Sequence, residues 1–116
     1  MHPELGENFT KEIEQLKINN SLIIVEGKKD AAALNALGIT NIKELSKKSI
    51  PSIIDEVSNE KEIIILTDLD KEGKKLYGKL NSGLQKQGVK INNRLRNFLY
   101  RETKLRNIEG LKHYSE

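Results

Sequence analysis

The sequence predicts an α/β fold with a mainly parallel sheet of about four strands flanked by helices. Two uninterrupted apolar runs, residues 22–25 and 63–66, have the length and composition of strands buried on both faces. Each run leads into a segment of helical character, and the strand–helix order recurs about three times before a closing strand. Strands that alternate with helices require crossover connections, which favour parallel pairing.

The helices are predicted from apolar spacing and from residues that start or stop a helix. The predicted spans are about residues 9–18, 28–37, 50–58 and 71–87. Pro51 suits a first helical turn, where its missing N–H is not needed. Gly38 and Gly88 stand where the second and fourth helices end. These spans complete the alternation that the parallel sheet requires.

The two outer strands are predicted from weaker patterns. Residues 39–45 alternate enough for a short strand or a loop, and Val89, Ile91, Asn93 and Leu95 alternate as a last strand. A basic tail follows over about residues 96–116. We therefore predict a single domain over residues 1–116, with its core at about 21–95.

Charge is distributed unevenly along the 116 residues. Residues 1–72 carry 9 lysines against 14 acidic residues, a net charge of −5, whereas residues 73–116 carry a net charge of +8. Such a basic half favours a polyanionic partner, although a solvated basic face is an equal alternative. No apolar run is long enough for a membrane span, and the N-terminus does not resemble a secretory signal. Without cysteine there is no thiolate site, and we expect a cytoplasmic location.

Three carboxylates follow the two buried strands. Glu26 follows the first, and Asp68 and Asp70 follow the second, spaced so that an extended backbone projects both aspartates to one side. In a parallel sheet, ligands bind beyond the carboxyl ends of the strands. Oxygen ligands without histidine or cysteine favour Mg²⁺ or Mn²⁺ over zinc. The pattern predicts a divalent-metal site with Glu26, Asp68 and Asp70 as its metal-ligating and catalytic candidates.

Glycines and basic residues around these carboxylates predict a surface that binds phosphates. A helix begins beside each carboxylate motif, and a helix N-terminus offers free N–H groups and a partial positive charge to a phosphate. Lysine and arginine side chains add charge on the same rim and along the basic half. The candidates for binding phosphate or nucleic acid are Gly27, Lys28, Lys29, Lys71, Gly73, Lys74, Lys75, Arg94, Arg96 and Arg101.

Each feature also has an ordinary structural explanation. A D-x-D motif after a strand often only caps the next helix, and Glu26 could form a surface ion pair with a neighbouring lysine. Asp30 fits the first turn of a helix, where the helix dipole favours an acid, and we favour that role. Tyr100, in the basic tail, could stack on bases or simply pack.

Taken together, IIVEGKKD with Glu26 and IIILTDLDKEG with Asp68 and Asp70 resemble the Toprim domain. This catalytic module is shared by topoisomerases, primases, small ribosomal-RNA-maturing ribonucleases, recombination mediators and overcoming-lysogenization-type nucleases. The resemblance covers roughly residues 21 to 95. It implies a compact Rossmann-like sheet, Glu26 as general acid or base, and Mg²⁺ held by Asp68 and Asp70.

The resemblance also narrows the type of Toprim protein. We expect no further domain that could supply a topoisomerase tyrosine and no zinc-binding or helicase-linked primase module, and the 116 residues contain no cysteine for a zinc motif. It is therefore most similar to the small ribonucleases and to short, stand-alone Toprim proteins of archaea and bacteria. The segment RNIEGLKHYSE also resembles the C-terminal part of those short proteins.

Two classes of function follow. The leading hypothesis is a nuclease that uses Mg²⁺ or Mn²⁺ to cleave phosphodiester bonds in RNA or DNA. The alternative is a nucleic-acid-binding or scaffold subunit of a processing or repair complex that performs little or no chemistry. A homodimer or a larger assembly is compatible with either. A small-molecule phosphotransfer enzyme is less favoured because neither a G-x-G-x-x-G motif nor a P-loop is present.

Overall fold

The elements follow one another in the alternating order that the sequence predicts. The computed structural model describes residues 6–114; residues 115–116 of the predicted basic tail lie outside this range. The strands are β1 (Leu22–Val25), β2 (Ile42–Glu44), β3 (Glu62–Ile65) and β4 (Lys90–Ile91). The helices are α1 (Gly6–Asn19), α2 (Lys28–Ala36), α3 (Ile50–Val57), α4 (Lys71–Lys86) and α5 (Arg94–Glu102), followed by a C-terminal 3-10 helix (Ile108–Tyr114).

The four strands form one parallel sheet in the order β2-β1-β3-β4. The chain moves outward from β1 to β2, then returns to pair β3 with the other side of β1. Strand order therefore reverses between β1 and β3, and a crevice opens at such a point beyond the strand ends. The predicted α/β fold with a parallel sheet is confirmed, and this reversal determines where a site can form.

Both faces of the sheet are covered, because alternate residues of each central strand point to opposite sides. Ile23 and Val25 of β1 belong to a core under α1, α2, α5 and the C-terminal 3-10 helix. Leu22 and Ile24 belong to a second core under α3 and α4. Complete burial of a side chain such as Ile24 contributes roughly 1.5–3 kcal/mol to stability. The continuous apolar run in β1 thus reflects a strand with no solvent-facing side.

The last strand is shorter than its alternating pattern predicts. β4 ends at Ile91, and Leu95 lies in α5 rather than in a strand, so the predicted extension through Asn93 and Leu95 is wrong. Leu95 and Leu99 are four residues apart, the spacing that places two side chains on one helical face, and both are buried against the sheet. Burial of this helical stripe outweighed the local alternation.

The C-terminal region is part of the core rather than a peripheral basic segment. Ile108 and Leu111 of the 3-10 helix are fully buried, and this helix packs against α2. Across residues 6–114, no helix combines the length and the apolar composition that crossing a bilayer would demand.

Candidate active site

Glu26 and Asp68 meet where the strand order reverses. Each follows the carboxyl end of its strand, and β1 and β3 are hydrogen-bonded neighbours. The carboxylate Oε2 of Glu26 accepts a hydrogen bond of 2.8 Å from the backbone N–H of Asp68. The two motifs predicted from separate parts of the sequence are therefore in direct contact.

A cavity of about 660 Å³ opens beside this pair. Its lining comprises Glu26, Gly27, Lys28, Lys29, Asp30, Asp68, Asn107 and Glu109. Four carboxylates thus share a wall with two exposed lysines from the start of α2. The arrangement can hold a cation among the carboxylates while the lysines face an anionic group.

Burial and neighbouring negative charge act on two of these acids. Loss of solvent is the largest effect raising the pKa of Glu26, and Asp68, Asp30 and Asp70 raise it further, although the hydrogen bond from Asp68 opposes the shift. Desolvation also raises the pKa of Asp30, with Asp68 and Glu109 adding to the effect. A carboxyl group whose pKa is raised by burial and by neighbouring acids holds a proton more readily than an ordinary carboxyl group, which suits it to proton transfer.

Asp30 combines its place in the cavity with a structural role. Its Oδ2 accepts a hydrogen bond of 3.2 Å from the N–H of Gly27, at the first turn of α2. This is the position at which the helix dipole stabilises an acid. The surface ion pair considered for Glu26 is not found among the described residues.

Asp70 differs from the other two predicted carboxylates because it caps a helix. Its Oδ1 accepts a hydrogen bond of 2.8 Å from the N–H of Gly73, and the side chain is exposed rather than part of the cavity wall. The alternative considered for D-x-D, a helix cap, thus describes Asp70. The other carboxylate oxygen of Asp70, Oδ2, does not take part in this cap.

Gly73 allows the D-x-D loop to lie directly on α4. A Cβ atom at this position would collide with the carbonyl oxygen of Asp68. The buried hydroxyl of Thr67 donates a hydrogen bond of 2.7 Å to the carbonyl oxygen of Gly73. The glycine is therefore required by close backbone approach, and not by an unusual dihedral angle.

Arg96 has a placement that does not suit its predicted contact with a nucleic-acid strand. Its side chain is buried, and its guanidinium donates hydrogen bonds to the carbonyl oxygens of Thr67 at 2.6 Å and Asp68 at 3.1 Å. The ring of Tyr77 lies 4.5 Å from the guanidinium carbon. Arg96 lies on the buried face of α5 rather than in an exposed basic tail, and we assign it to holding the D-x-D loop.

The C-terminal segment supplies contacts that the motifs did not predict. The N–H of Ile108 donates to Asp68 Oδ1 at 2.8 Å, and the N–H of Leu69 donates to the carbonyl oxygen of Arg106 at 2.6 Å. Asn107 and Glu109 of this segment line the cavity. The only sequence signal for them is the resemblance of RNIEGLKHYSE to the C-terminal part of short Toprim proteins.

The remaining predicted basic residues fall into two groups. Lys71, Lys74 and Lys75 are exposed on the first turns of α4, beside the D-x-D loop, and Lys75 pairs with Glu72. Arg94 and Arg101 instead border a separate groove of about 750 Å³ between α1 and α5, which contains none of the three predicted catalytic carboxylates. Arg94 also pairs with Glu12 at 2.9 Å. The structure therefore does not bring these arginines to the carboxylate cavity.

The carboxylates suit a hard divalent cation in their chemistry. The carboxylates of the cavity would bind a metal ion through oxygen atoms, which hard cations prefer. A bound cation would also neutralise the negative charge of the neighbouring acids, which contributes to the raised pKa of Glu26. Within residues 6–114, however, no three metal-ligating side chains already surround a single point. Since Mg²⁺ typically takes one or two carboxylates and completes its shell with water and phosphate, the donor set fits the ion.

Comparison with known proteins places this chain in a family. The Toprim domain model matches residues 21–109. A UPF0292 protein of Methanocaldococcus jannaschii is 36% identical, over 96% of this chain and 92% of its own length. A UPF0292 protein of Pyrococcus furiosus is 43% identical over 69% of this chain, and the match spans only 62% of that relative.

Similarity in three dimensions agrees with the sequence match. A solved structure of a small protein from Aquifex aeolicus superposes with a TM-score of 0.80 at 32% identity, over 89% of this chain and 97% of the other. The chain therefore belongs to the Toprim family, whose domains typically bind divalent metal ions and serve nuclease- or primase-type functions on nucleic acids.

Proposed function

We propose that this protein is a metal-dependent nuclease that hydrolyses phosphodiester bonds in RNA or DNA. The observation that carries the proposal is the contact between Glu26 and Asp68, at the reversal of strand order and beside a cavity that two lysines border. This combines a proton-transfer group, oxygen donors for a cation and positive charge for phosphate in one place.

Each residue of the site has a distinct task in this proposal. Bound Mg²⁺ or Mn²⁺ would stabilise negative charge on the scissile phosphate, with Asp68 and Asp70 as its ligands and Glu26 beside them. Lys28 and Lys29 would hold the phosphate against the cavity.

Glu26 transfers the proton. As a carboxylate it accepts a proton from the attacking water while a new P–O bond forms and the bond to the leaving oxygen breaks. In its protonated form it supplies the proton that the leaving oxygen requires. Its raised pKa supports both roles, because burial and the neighbouring carboxylates make the protonated form less costly than in an ordinary glutamate.

One observation favours the alternative function of a nucleic-acid-binding or scaffold subunit. In the described part of the chain the metal-ligating side chains are not yet gathered around one point, and Asp68 and Asp70 already accept backbone hydrogen bonds. A protein that binds nucleic acid without cutting it would have the same basic surface.

A cleavage assay separates the two functions. Labelled single-stranded and double-stranded RNA and DNA are incubated with Mg²⁺, Mn²⁺ or EDTA and with wild type, Glu26→Ala or Asp68→Ala. Glu60→Ala is the matched control, because Glu60 is an exposed acid in the turn before β3 and not part of the cavity.

A nuclease cuts only with metal, loses roughly 10²–10⁴-fold in rate without Glu26, and retains its rate in the control. Equal cleavage by wild type and Asp68→Ala contradicts the mechanism. Retention of nucleic acid without any metal-dependent cleavage supports the binding function instead. Mn²⁺ binding, followed by electron paramagnetic resonance, reports on the carboxylates independently of cleavage.

A further inference from the structure

Two cationic side chains from different segments converge on the exposed ring of Tyr100, beside the D-x-D loop. Lys74 Nζ lies 4.8 Å from the centroid of the Tyr100 ring, and the guanidinium carbon of Arg106 lies 5.3 Å from it. We call Lys74, Tyr100 and Arg106 the Tyr100 cluster. Its members come from α4, from α5 and from the segment before the C-terminal 3-10 helix.

Both cations are anchored to the D-x-D loop through their own backbones. The N–H of Lys74 donates to the carbonyl oxygen of Asp70 at 2.9 Å, in the first turn of α4. The carbonyl oxygen of Arg106 accepts from the N–H of Leu69 at 2.6 Å. The Tyr100 cluster is therefore fixed relative to Asp68 and Asp70 by backbone contacts on two sides.

The charges of the Tyr100 cluster are not neutralised within the described residues. Neither Lys74 nor Arg106 has a carboxylate within ion-pair distance, whereas nearby Lys75 and Arg94 pair with Glu72 and Glu12. Two cations held together without a counter-charge favour binding of an anion, and each is positioned by a rigid aromatic ring.

Tyr100 belongs to neither of the two hydrophobic cores. Its side chain is 49% exposed, while Phe9, Phe98 and Tyr77 pack against one of the two cores. Surfaces that bind single-stranded nucleic acid combine an exposed aromatic ring, on which an unpaired base stacks, with cations that contact the phosphates of the strand. Tyr100 with its two neighbouring cations has this combination.

We propose that the Tyr100 cluster binds an unpaired nucleotide, so that the substrate of the site is single-stranded nucleic acid or a single-stranded segment. The inference rests on the proposed function, since it concerns a strand whose phosphate lies at the carboxylate cavity. Lys74 and Arg106, which lie over the ring in the free protein, swing to the flanking phosphates, and the ring face that is then uncovered stacks on the base. In a duplex the base faces are already stacked, so the ring gains nothing there.

The test measures binding in EDTA, where cleavage does not occur. The probes are short single-stranded RNA and DNA containing one fluorescent purine whose emission is quenched by stacking, and the matching duplexes. Tyr100→Leu is expected to weaken single-strand binding about 5- to 150-fold and to remove the quenching. Tyr100→Phe keeps the ring and is expected to bind within about twofold of wild type. Duplex binding is expected to be the same in all three proteins.

The cations are tested by salt dependence. Lys74→Gln and Arg106→Gln are each expected to reduce the slope of log affinity against log salt by about 0.7 for a single strand. Lys86→Gln, the same change at the far end of α4, is the control and retains single-strand affinity. Whether RNA or DNA binds more tightly identifies the natural strand, and either preference supports the inference.

The outcomes of this test and of the cleavage assay are separable. Single-strand binding by Tyr100→Leu equal to wild type, with an unchanged melting temperature, overturns the inference even if the enzyme cuts. An equal loss of duplex and single-strand binding also overturns it. Ring-dependent single-strand binding without metal-dependent cleavage supports the inference and contradicts the nuclease.

Discussion

The carboxylate of Glu26 accepts a hydrogen bond of 2.8 Å from the backbone N–H of Asp68, which joins the ends of β1 and β3. This contact spans 42 positions in the sequence and lies at the point where strand order reverses. It constrains Glu26 while leaving its charge close to Asp68, Asp30 and Asp70. A group that is well positioned but costly to ionise is consistent with selection for function rather than for stability.

Stability of the metal-free protein is expected to depend on the charge of Glu26. Burial and neighbouring acids raise its folded-state pKa above the ordinary value of 4.5, so the folded protein takes up this proton more readily than the unfolded chain. The resulting stabilisation is complete below about pH 4.5 and is lost as the pH rises through the folded-state pKa. Glu26→Gln can keep the hydrogen bond from Asp68 and removes the charge.

We therefore expect Glu26→Gln to gain stability relative to wild type as the pH rises toward neutrality. The measurement is urea unfolding of both proteins in EDTA across this pH range. A difference in unfolding free energy that does not change with pH contradicts the prediction. Added Mg²⁺ is expected to raise the melting temperature of wild type more than that of the variant.

Gly73→Ala is expected to destabilise the protein by roughly 1–3 kcal/mol, because the new Cβ collides with the carbonyl oxygen of Asp68. Gly78→Ala is the matched control on the same helix, where a Cβ meets nothing within 4 Å. That control is expected to stabilise α4 by about 1 kcal/mol. Thermal unfolding of both variants measures the contrast, and an equal effect of the two substitutions would show that the loop does not depend on Gly73.

Arg96→Met is expected to lower the unfolding free energy by roughly 2–4 kcal/mol, since the carbonyl oxygens of Thr67 and Asp68 lose a charged donor. Arg96→Lys restores the charge but not the forked geometry that reaches both oxygens, so it is expected to recover only part of the loss. Arg101→Met, on the exposed side of α5, is the control and should stay within about 0.5 kcal/mol of wild type. Denaturant titration measures the unfolding free energy of each variant. Full recovery of stability in Arg96→Lys would show that the positive charge, and not the forked geometry of arginine, stabilises the loop.

The C-terminal 3-10 helix is expected to support metal binding through Asp68. Leu111→Ala removes a fully buried side chain beneath this helix and should cost about 2–5 kcal/mol, loosening the contact between Ile108 and Asp68. Leu84→Ala opens a comparable cavity in the core on the opposite face of the sheet. Mn²⁺ affinity, measured where both variants remain folded, should fall for Leu111→Ala alone. Equal Mn²⁺ affinities of the two variants would show that the 3-10 helix does not support metal binding.

Local chemistry in the sequence determined the fold class and the identity of the carboxylates. The continuous apolar runs predicted β1 and β3 because a strand covered on both faces has no position for a polar side chain. Since the carboxyl ends of parallel strands meet at one edge of the sheet, the sequence alone predicts that Glu26 and Asp68 lie together. Apolar stripes and helix-stopping residues, which are local patterns, predicted α1 to α4, whereas α5 was not predicted.

Only the tertiary structure decided the roles of the C-terminal residues. In the sequence, nothing distinguishes Arg96 from the other basic residues around it. Its side chain is buried because residues 94–102 form α5, which begins where the last strand was predicted to end. Asn107 and Glu109 reach the cavity because the 3-10 helix packs on α2, about 80 positions away in the sequence. No local pattern encodes such a contact, because its free energy comes from burial between distant segments. The tertiary structure thus separates the buried Arg96 from the exposed cations beside Tyr100.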